Sequence, residues 1–423
     1  MIADRRTFVS LMIGGVLLLL TSAAALAVDY DAGNGVSTVP PSQPSSQPAE
    51  ETWPPGLLMT GLEKTGARKP LDDAGIRFWG FTEAGFTGNL TNGQETLFGR
   101  SIDARRVDNM RLNQLRLTAD RVYDASKPFD WGFRVDGMFG GDAKLVHSFG
   151  LLDHAGQGNG DAWADIVQAN VQGWFKTGNQ SGLEMTLGKF LTPMGIETVD
   201  ATANPLYSRS YLGSFATPTT HTGINLKYKF SEQVSAYFCL CQGWDDFRDN
   251  NDAPSYMTGF ALSSKEQIGG HARDQFAFNV ITGPEQPDNN VDYRTLLDST
   301  ATHWWTDKLS SSVEGDWATE EQLPGAGRAN WYGLAHFLTY VFNDRVSATW
   351  RTEWFADDTG VRIGKAGNYH ENTFGVNLTP WPAHDILKNL SFRPEVRWDN
   401  SDQRVFGDSH DQMTVAFDVI FKF

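Results

Sequence analysis

Alternation is the strongest constraint in this chain. From about residue 76 onward, segments of roughly ten residues repeatedly set apolar side chains at every second position, with polar or charged ones between them. Successive side chains of a β-strand point to opposite faces, so each such segment reads as a two-faced strand. In residues 390–399, Leu390, Phe392, Pro394, Val396 and Trp398 form one face, and Ser391, Arg393, Glu395, Arg397 and Asp399 the other. In residues 412–423, Met413, Val415, Phe417, Val419, Phe421 and Phe423 oppose Gln412, Thr414, Asp418 and Lys422, alongside Ala416 and Ile420. The same logic sets Trp131, Phe133, Val135 and Phe139 against Arg134 and Asp136, and Leu183, Met185 and Leu187 against Glu184 and Thr186. It also sets Ile224, Leu226, Tyr228 and Phe230 against Asn225, Lys227 and Lys229, and Val346, Ala348, Trp350 and Trp354 against Thr349, Arg351 and Glu353.

Soluble sandwiches and membrane barrels both use this pattern. Size and export separate them. A sandwich with this many strands needs several domains, and no linker follows residue 76. The first 27 residues read as a signal peptide: Arg5 and Arg6, an apolar stretch over 8–20, then Ala25-Leu26-Ala27, which predicts cleavage near Ala27. The Arg5-Arg6 pair also fits a twin-arginine signal, but that route carries folded cargo and a barrel must cross unfolded. Mean hydropathy is −0.37, and no later segment offers the ~20 apolar residues of a helical span. The expected fold is therefore all-β: a transmembrane antiparallel up-and-down β-barrel of about sixteen strands, behind a disordered Pro-rich N-terminal leader. The division is 1–27 signal peptide, 28–74 Pro/Ser-rich periplasmic tail or linker, and 75–423 barrel.

Strands are predicted near 76–87, 111–122, 131–140, 163–174, 182–190, 219–230, 234–244, 255–263, 274–282, 293–305, 309–318, 329–341, 345–356, 369–379, 389–399 and 412–423. In 329–341 the outer face is contested between Trp331, Phe337 and Val341 on one side and Leu334, Leu338 and Tyr340 on the other. Turns alternate in length. Those at 231–233, 306–308 and 343–344 are short; polar stretches near 88–110, 141–162, 191–218, 245–255 and 357–368 are long, as short periplasmic turns and long outer loops require. The chain has 14 Trp. Trp79, Trp163, Trp174, Trp244, Trp305, Trp317, Trp331, Trp354, Trp381 and Trp398 fall near predicted strand ends, where interfacial girdles belong.

The terminal strand ends on Phe423. An exported chain ending on such an aromatic strand resembles the closing strand of bacterial outer-membrane barrels, which implies that Phe423 is an assembly signal read by the barrel-assembly machinery. The run Gly188-Lys189-Phe190-Leu191-Thr192-Pro193-Met194-Gly195, then Thr220-His221-Thr222-Gly223-Ile224 and Ile281-Thr282-Gly283-Pro284-Glu285, together with that terminal Phe, resembles the OmpL-like beta-barrel porin family over roughly residues 75–423. The resemblance implies an outer-membrane pore and leaves the solute open.

The formal charge of −16 argues against nucleic acid as a partner, since phosphate binding needs basic patches; it favours cations in a lumen. Cys239 and Cys241 share one strand face, as buried thiols or a strained disulfide. Gly407-Asp408-Ser409-His410 contains a Ser and a His, but adjacent residues do not make a nucleophile–base pair readily. Asp245, Asp246, Asp249 and Asp252 lack the Gly and final Glu of a calcium loop and read as a solvated acidic loop. No catalytic, cofactor or metal site is expected.

The residues expected to line the pore lie on the polar strand faces. On the early strands they are Arg77, Glu83, Arg116, Asp120, Arg134, Asp136 and Glu184; on the middle ones Lys227, Lys229, Glu314 and Asp316; on the late ones Arg351, Glu353, Arg393, Glu395, Arg397 and Asp418. Mixed charges there set ion preference or simply pair and stiffen the wall. The stretch 191–218, carrying Glu197, Asp200, Tyr207, Arg209 and Tyr211, fits either a constriction folded into the barrel or a cover over its outer mouth. The expected function is an outer-membrane porin passing small hydrophilic solutes or ions, with mild cation preference, in contact with outer-membrane lipid; trimers are common among such barrels by analogy, and the sequence leaves the oligomeric state open. The alternative is a plugged structural or adhesive barrel.

Overall fold

The computed structural model describes residues 56–91, 97–100, 107, 109–154 and 162–423. The signal peptide and most of the Pro-rich leader lie outside these residues. Eighteen strands follow one another: β1 (Arg77–Asn89), β2 (Arg111–Arg121), β3 (Phe129–Gly140), β4 (Trp163–Lys176), β5 (Gly182–Leu191), β6 (Thr220–Lys229), β7 (Val234–Cys241), β8 (Ser255–Ser263), β9 (Gln267–Ile268), β10 (His271–Ala272), β11 (Asp274–Pro284), β12 (Tyr293–Trp304), β13 (Leu309–Leu323), β14 (Gly327–Asn343), β15 (Val346–Asp357), β16 (Gly367–Leu378), β17 (Leu390–Ser401) and β18 (Asp411–Lys422). Sixteen form a closed barrel in which each strand pairs antiparallel with its sequence neighbours and β1 pairs with β18; β9 and β10 make a separate two-stranded hairpin between β8 and β11. Closure leaves no open edge, which lipid would not tolerate.

The period-two pattern dictates which side faces out. Leu117, Val171, Leu187, Phe238, Leu334, Trp350 and Phe374 are exposed large apolar side chains. An apolar surface of that extent belongs against lipid. The intervening charges are buried inside. In β14 the contest goes to Leu334 and Tyr340, which are exposed, while Trp331, Phe337 and Val341 are buried on the inner face. The barrel seam closes at the last residue: Phe423 N–H donates to the Gly80 carbonyl at 2.8 Å, and Gly80 N–H returns a bond to Phe423 at 2.9 Å. A Cβ on Gly80 would meet the Phe423 ring at 2.7 Å, so the terminal aromatic seats over a glycine notch.

Two expectations change. Residues 56–74 are not plain linker. They form α1 (Leu57–Glu63) and α2 (Arg68–Ala74). Met59 of α1 is buried, and its Sδ accepts the Phe78 N–H at 3.5 Å. In α2, Lys69 pairs with Asp73 at 3.0 Å, and Gly75 at φ +70° ends the helix. The tryptophans also divide. Trp305, Trp317, Trp354, Trp381 and Trp398 are exposed, as a girdle requires, but Trp174, Trp244 and Trp331 are buried. Trp174 stacks on Tyr123, Trp79 donates to Asp120 at 3.0 Å, and Trp163 lies against His147. Inside, the Trp331 and Trp174 indole N–H groups donate to the Ala216 and Ala125 carbonyls at 3.1 and 3.2 Å.

Candidate functional site

The first two sequence motifs converge at the top of β5 and β6. Gly188 and Gly223 face each other across the pair. A Cβ on either would strike a neighbouring strand's carbonyl, Ala169 O at 2.3 Å and Leu240 O at 2.1 Å. Lys189 is fully buried and donates to the Ile166 carbonyl at 2.7 Å. His221 reaches Thr192 Oγ1 at 3.2 Å and the Gly243 carbonyl at 3.1 Å. From this anchored base the chain leaves β5 and turns at Gly195 (φ +80°).

It turns inward. Residues 192–218 run against mid-strand side chains of the inner wall rather than over the mouth. Ile196 N–H donates to Glu314 at 2.7 Å, and Gly195 N–H to Asp298 at 3.3 Å. Further along, Tyr207 and Ser208 N–H groups donate to Glu395 at 2.9 and 3.1 Å, and those of Tyr211 and Leu212 to Glu353, both at 2.6 Å. Arginines take the carbonyls: Arg393 donates to Ala201 O at 2.8 Å and Asn204 O at 2.6 Å, Arg351 to Ser208 O at 2.6 Å, and Arg397 to Arg209 O at 2.5 Å. An irregular backbone inside a barrel has no ladder to satisfy it, so the wall charges take that role.

The five candidate residues of this segment all lie within the barrel. Glu197 pairs with Arg351 at 2.6 Å and accepts the Ser210 N–H at 2.7 Å. Asp200 caps a turn through Thr202 N–H at 2.8 Å. Tyr207 accepts from Asn113 at 3.0 Å, and Tyr211 donates to Asp399 at 2.8 Å. Burial, and then the Asp399 charge, hold the Tyr211 phenol well above its usual range. Arg209 donates to Tyr207 O at 3.2 Å.

Three inner-wall glycines receive this segment. An added Cβ would come within 2.3 Å of Tyr207 at Gly85, 2.5 Å of Leu206 at Gly375 and 2.8 Å of Leu212 at Gly333. The sequence reading passed over them. The available signal at Gly85 and Gly375 was a glycine in the middle of a strand on the polar face, which marks a close approach; Gly333 lies among Trp331, Ala335 and Phe337 and carried no such signal.

The predicted pore-lining residues do fall on the inner face, but most are paired. Arg77 meets Asp120 at 2.9 Å near the short-turn end. Arg116 binds Asp136, with Arg134 3.6 Å from the same carboxylate. Glu184 accepts from the Tyr123 hydroxyl. Arg393 binds Asp418 and lies 3.5 Å from Glu83. Arg351 binds Glu371 at 2.5 Å; Arg397 binds Asp399 at 2.8 Å, which also holds Arg100 at 2.5 Å. Glu371 and Arg100 were not anticipated. Lys227 and Lys229 lie on β6, the latter exposed at the short-turn end. Lys227 lines a recess with Pro193, Asn225, Ser235, Tyr237 and Asn279, between the inward segment and the β6–β11 wall.

Glu314 and Asp316 differ from the rest. With Asp298, missed because β12 carries Ser and Thr on both faces, they form a buried group in which one carboxylate oxygen from each lies within 4.8 Å of the other two. The remaining candidates are local. Asp245 caps Thr219 and Thr220 at 2.9 and 2.8 Å, and Asp249 caps Asn251 and Asp252 at 2.9 and 3.1 Å. Ser409 accepts from Asp411 N–H at 3.1 Å, while His410 Nδ1 faces Ser401 O at 2.9 Å, so the two side chains turn to different partners. Cys239 and Cys241 are buried free thiols.

At the long-loop mouth, Glu285 of the third motif accepts from Trp244 N–H at 2.8 Å and Ser255 at 2.6 Å. Burial raises both Asp246 and Glu285 to about 7, with their mutual repulsion adding for Asp246. Arg362 lies over Trp331 at 5.0 Å and over Trp244 at 5.4 Å, and burial lowers it to about 10.

A closed barrel of 16 antiparallel strands, apolar outside, charged within and entered by a folded-in segment, is an outer-membrane barrel of the porin type. The chain belongs to the family described as "Putative beta-barrel porin-2, OmpL-like", whose sequence profile matches residues 75–423. Its fold is similar to the anion-selective porin from Comamonas acidovorans (10% identity, TM-score 0.52, 82% of this chain and 99% of that one). It is likewise similar to OprB of Pseudomonas putida in its high-pH structure (10%, 0.52, 85% and 97%) and to the outer membrane channel DcaP of Acinetobacter baumannii (12%, 0.50, 82% and 97%). No curated protein matches the chain in sequence.

Proposed function

We propose that the protein is a non-enzymatic outer-membrane porin for passive diffusion of small hydrophilic solutes or ions, narrowed by residues 192–218 and mildly cation-preferring. The observation that carries this reading is the inward segment: the wall charges fix it against the side of β12–β18 and β1–β2, which assigns any passage to the opposite side, toward β6–β8 and β11, where a small recess lies. A charged constriction beside an open wall selects by size and sign. Cation preference rests on the acidic group of β12 and β13, three inner carboxylates together without a counter-ion among the described residues, and on the net charge of −16. Lys227 opposes it from the facing wall. The anion selectivity in the name of the Comamonas acidovorans porin is no guide at that identity.

A second reading has support in the burial of the inner wall. Arg351, Glu371, Arg397 and Asp399 are fully buried, as in a barrel plugged by its own segment and serving a structural or adhesive role. Single-channel conductance of the folded protein in a planar bilayer, under a salt gradient, decides between them. Steady openings with a cation-leaning reversal potential support the porin; silence from a heat-modifiable, β-rich sample overturns it. The wider reading places the mature protein after cleavage near Ala27, Phe423 as the signal for the barrel-assembly machinery, and a homotrimer in the membrane.

A further inference from the structure

Within the inner wall, one charge cluster lacks an opposite charge. Asp298 of β12 and Asp316 of β13 sit directly across from each other in the ladder, and Glu314 lies two residues before Asp316 on the same face. Like charges directly opposed on neighbouring strands destabilise a sheet. All three side chains are at least 95% buried, with relative exposures of 0, 5 and 0% for Asp298, Asp316 and Glu314. Among the described residues, no arginine, lysine or histidine forms an ion pair with any of them.

Their hydrogen bonding is incomplete in one direction. Asp298 accepts from Asn279 at 2.6 Å and from Gly195 N–H at 3.3 Å, and Glu314 Oε2 accepts from Ile196 N–H at 2.7 Å. Glu314 Oε1 is buried with no hydrogen-bond partner, and the buried Asp316 carboxyl meets no donor except the facing Asp298 carboxyl. On β15 to β17 such oxygens meet an arginine or a loop N–H, and the buried Asp165 of β4 has Lys189 at 3.5 Å. A buried carboxylate without a partner is costly, and three together are more so.

We propose that Asp298, Glu314 and Asp316 hold a hard divalent cation, Ca²⁺ or Mg²⁺. The donor set is all oxygen, as these ions require, and the three oxygens lie within 4.8 Å of one another. Oxygens bound about 2.3–2.6 Å from one calcium ion are at most about 5 Å apart. The second consequence is positional. The same carboxylates hold Gly195 and Ile196, where residues 192–218 leave the wall. A cation there neutralises the cluster and fixes the root of the inward segment, so divalent ions would set both the charge and the geometry of the passage. The site does not depend on the barrel conducting.

The test uses the full folded protein, stripped with chelator and titrated calorimetrically with CaCl₂ and, separately, MgCl₂. One saturable site is expected, weakened at least tenfold in D316N and E314Q and unchanged in D249N, which alters the outer loop. Calcium should also raise the heat-modifiability midpoint of the parent protein but not of D316N. Absence of saturable binding to the parent would mean that the three carboxylates share protons instead, and would overturn the proposal. So would loss of binding in D249N with retention in D316N. Should D316N fail to fold, Mn²⁺-soaked crystals of the parent protein give an independent answer: an anomalous peak among the three carboxylates is expected, and a peak only elsewhere, or none, overturns it.

Discussion

The two limbs of the inward segment rest on different walls. The later limb, around residues 201–212, sits on β15 to β17, where Arg351, Arg393 and Arg397 alternate with Glu353, Glu371, Glu395 and Asp399. The early limb, at Gly195 and Ile196, sits on β12 and β13, where the groups that meet it are carboxylates and the one arginine, Arg294, is taken up by Glu320 at 2.8 Å further along the strands. Both walls hold backbone N–H groups with carboxylates. Only the first also supplies cations for the segment's carbonyls and for the acids that tether it. The same tether is thus self-neutralised at one end and dependent on protons or added ions at the other, which makes the two ends separable by experiment.

The largest effect should come from removing the tethered segment. Deletion of residues 199–214 is expected to raise single-channel conductance severalfold in a barrel that still shifts on heating; unchanged conductance from a folded mutant would mean that the segment does not narrow the passage. Next is Arg351→Met, on the arginine wall. It leaves Glu197 and Glu371 buried beside each other without their shared cation. The expected loss is about 3–5 kcal/mol, read from equilibrium denaturation. Stability equal to the parent would remove the arginine wall's special status.

Gly375→Val sharpens the comparison through shape rather than charge. Valine favours a strand, yet its Cβ would lie 2.5 Å from Leu206. A loss of about 1–3 kcal/mol from overpacking is expected, together with faster proteolysis within 199–214. A stabilised variant would show that the segment is not seated there.

The long-loop mouth offers a pH test. Asp246 and Glu285 are raised from 3.8 and 4.5 to about 7. A raised carboxyl favours folding while protonated, so its contribution is fully present below about pH 4 and is lost as pH rises through about 7. Hydrogen exchange in 242–254 should therefore be faster at pH 8 than at pH 5 after correction for intrinsic rates, and Asp246→Asn should flatten that difference. The smallest effect belongs to Arg77→Gln. Its pair with Asp120 is half exposed on the arginine side, and a loss of at most about 1 kcal/mol is expected.

Much of this architecture was legible as period two. Strand count and the outer face follow from where Leu117, Phe238 or Trp350 must go if lipid lies outside; the alternation of short and long connections holds only in part, since residues 324–326 make a tight turn at the long-loop end and residues 264–273 and 379–389 make long connections at the other. The reading faltered where the inner face is itself apolar. Trp244 and Trp331 look like girdle residues in sequence, but they line the interior with Arg362 between them. It also faltered on β12, whose Ser and Thr residues disguise Asp298. The three glycines that admit Tyr207, Leu206 and Leu212 carry no side chain to declare a role.

The sequence by itself determined that the chain makes strands with one lipid-facing side and closes on Phe423, because side-chain direction along a strand is a local property. Only the tertiary structure decided that residues 192–218 go inward, which arginine neutralises which carboxylate, and that Asp298, Glu314 and Asp316 are left to one another. Those facts depend on cross-strand register and on contacts between residues more than 100 positions apart, and no local periodicity encodes them.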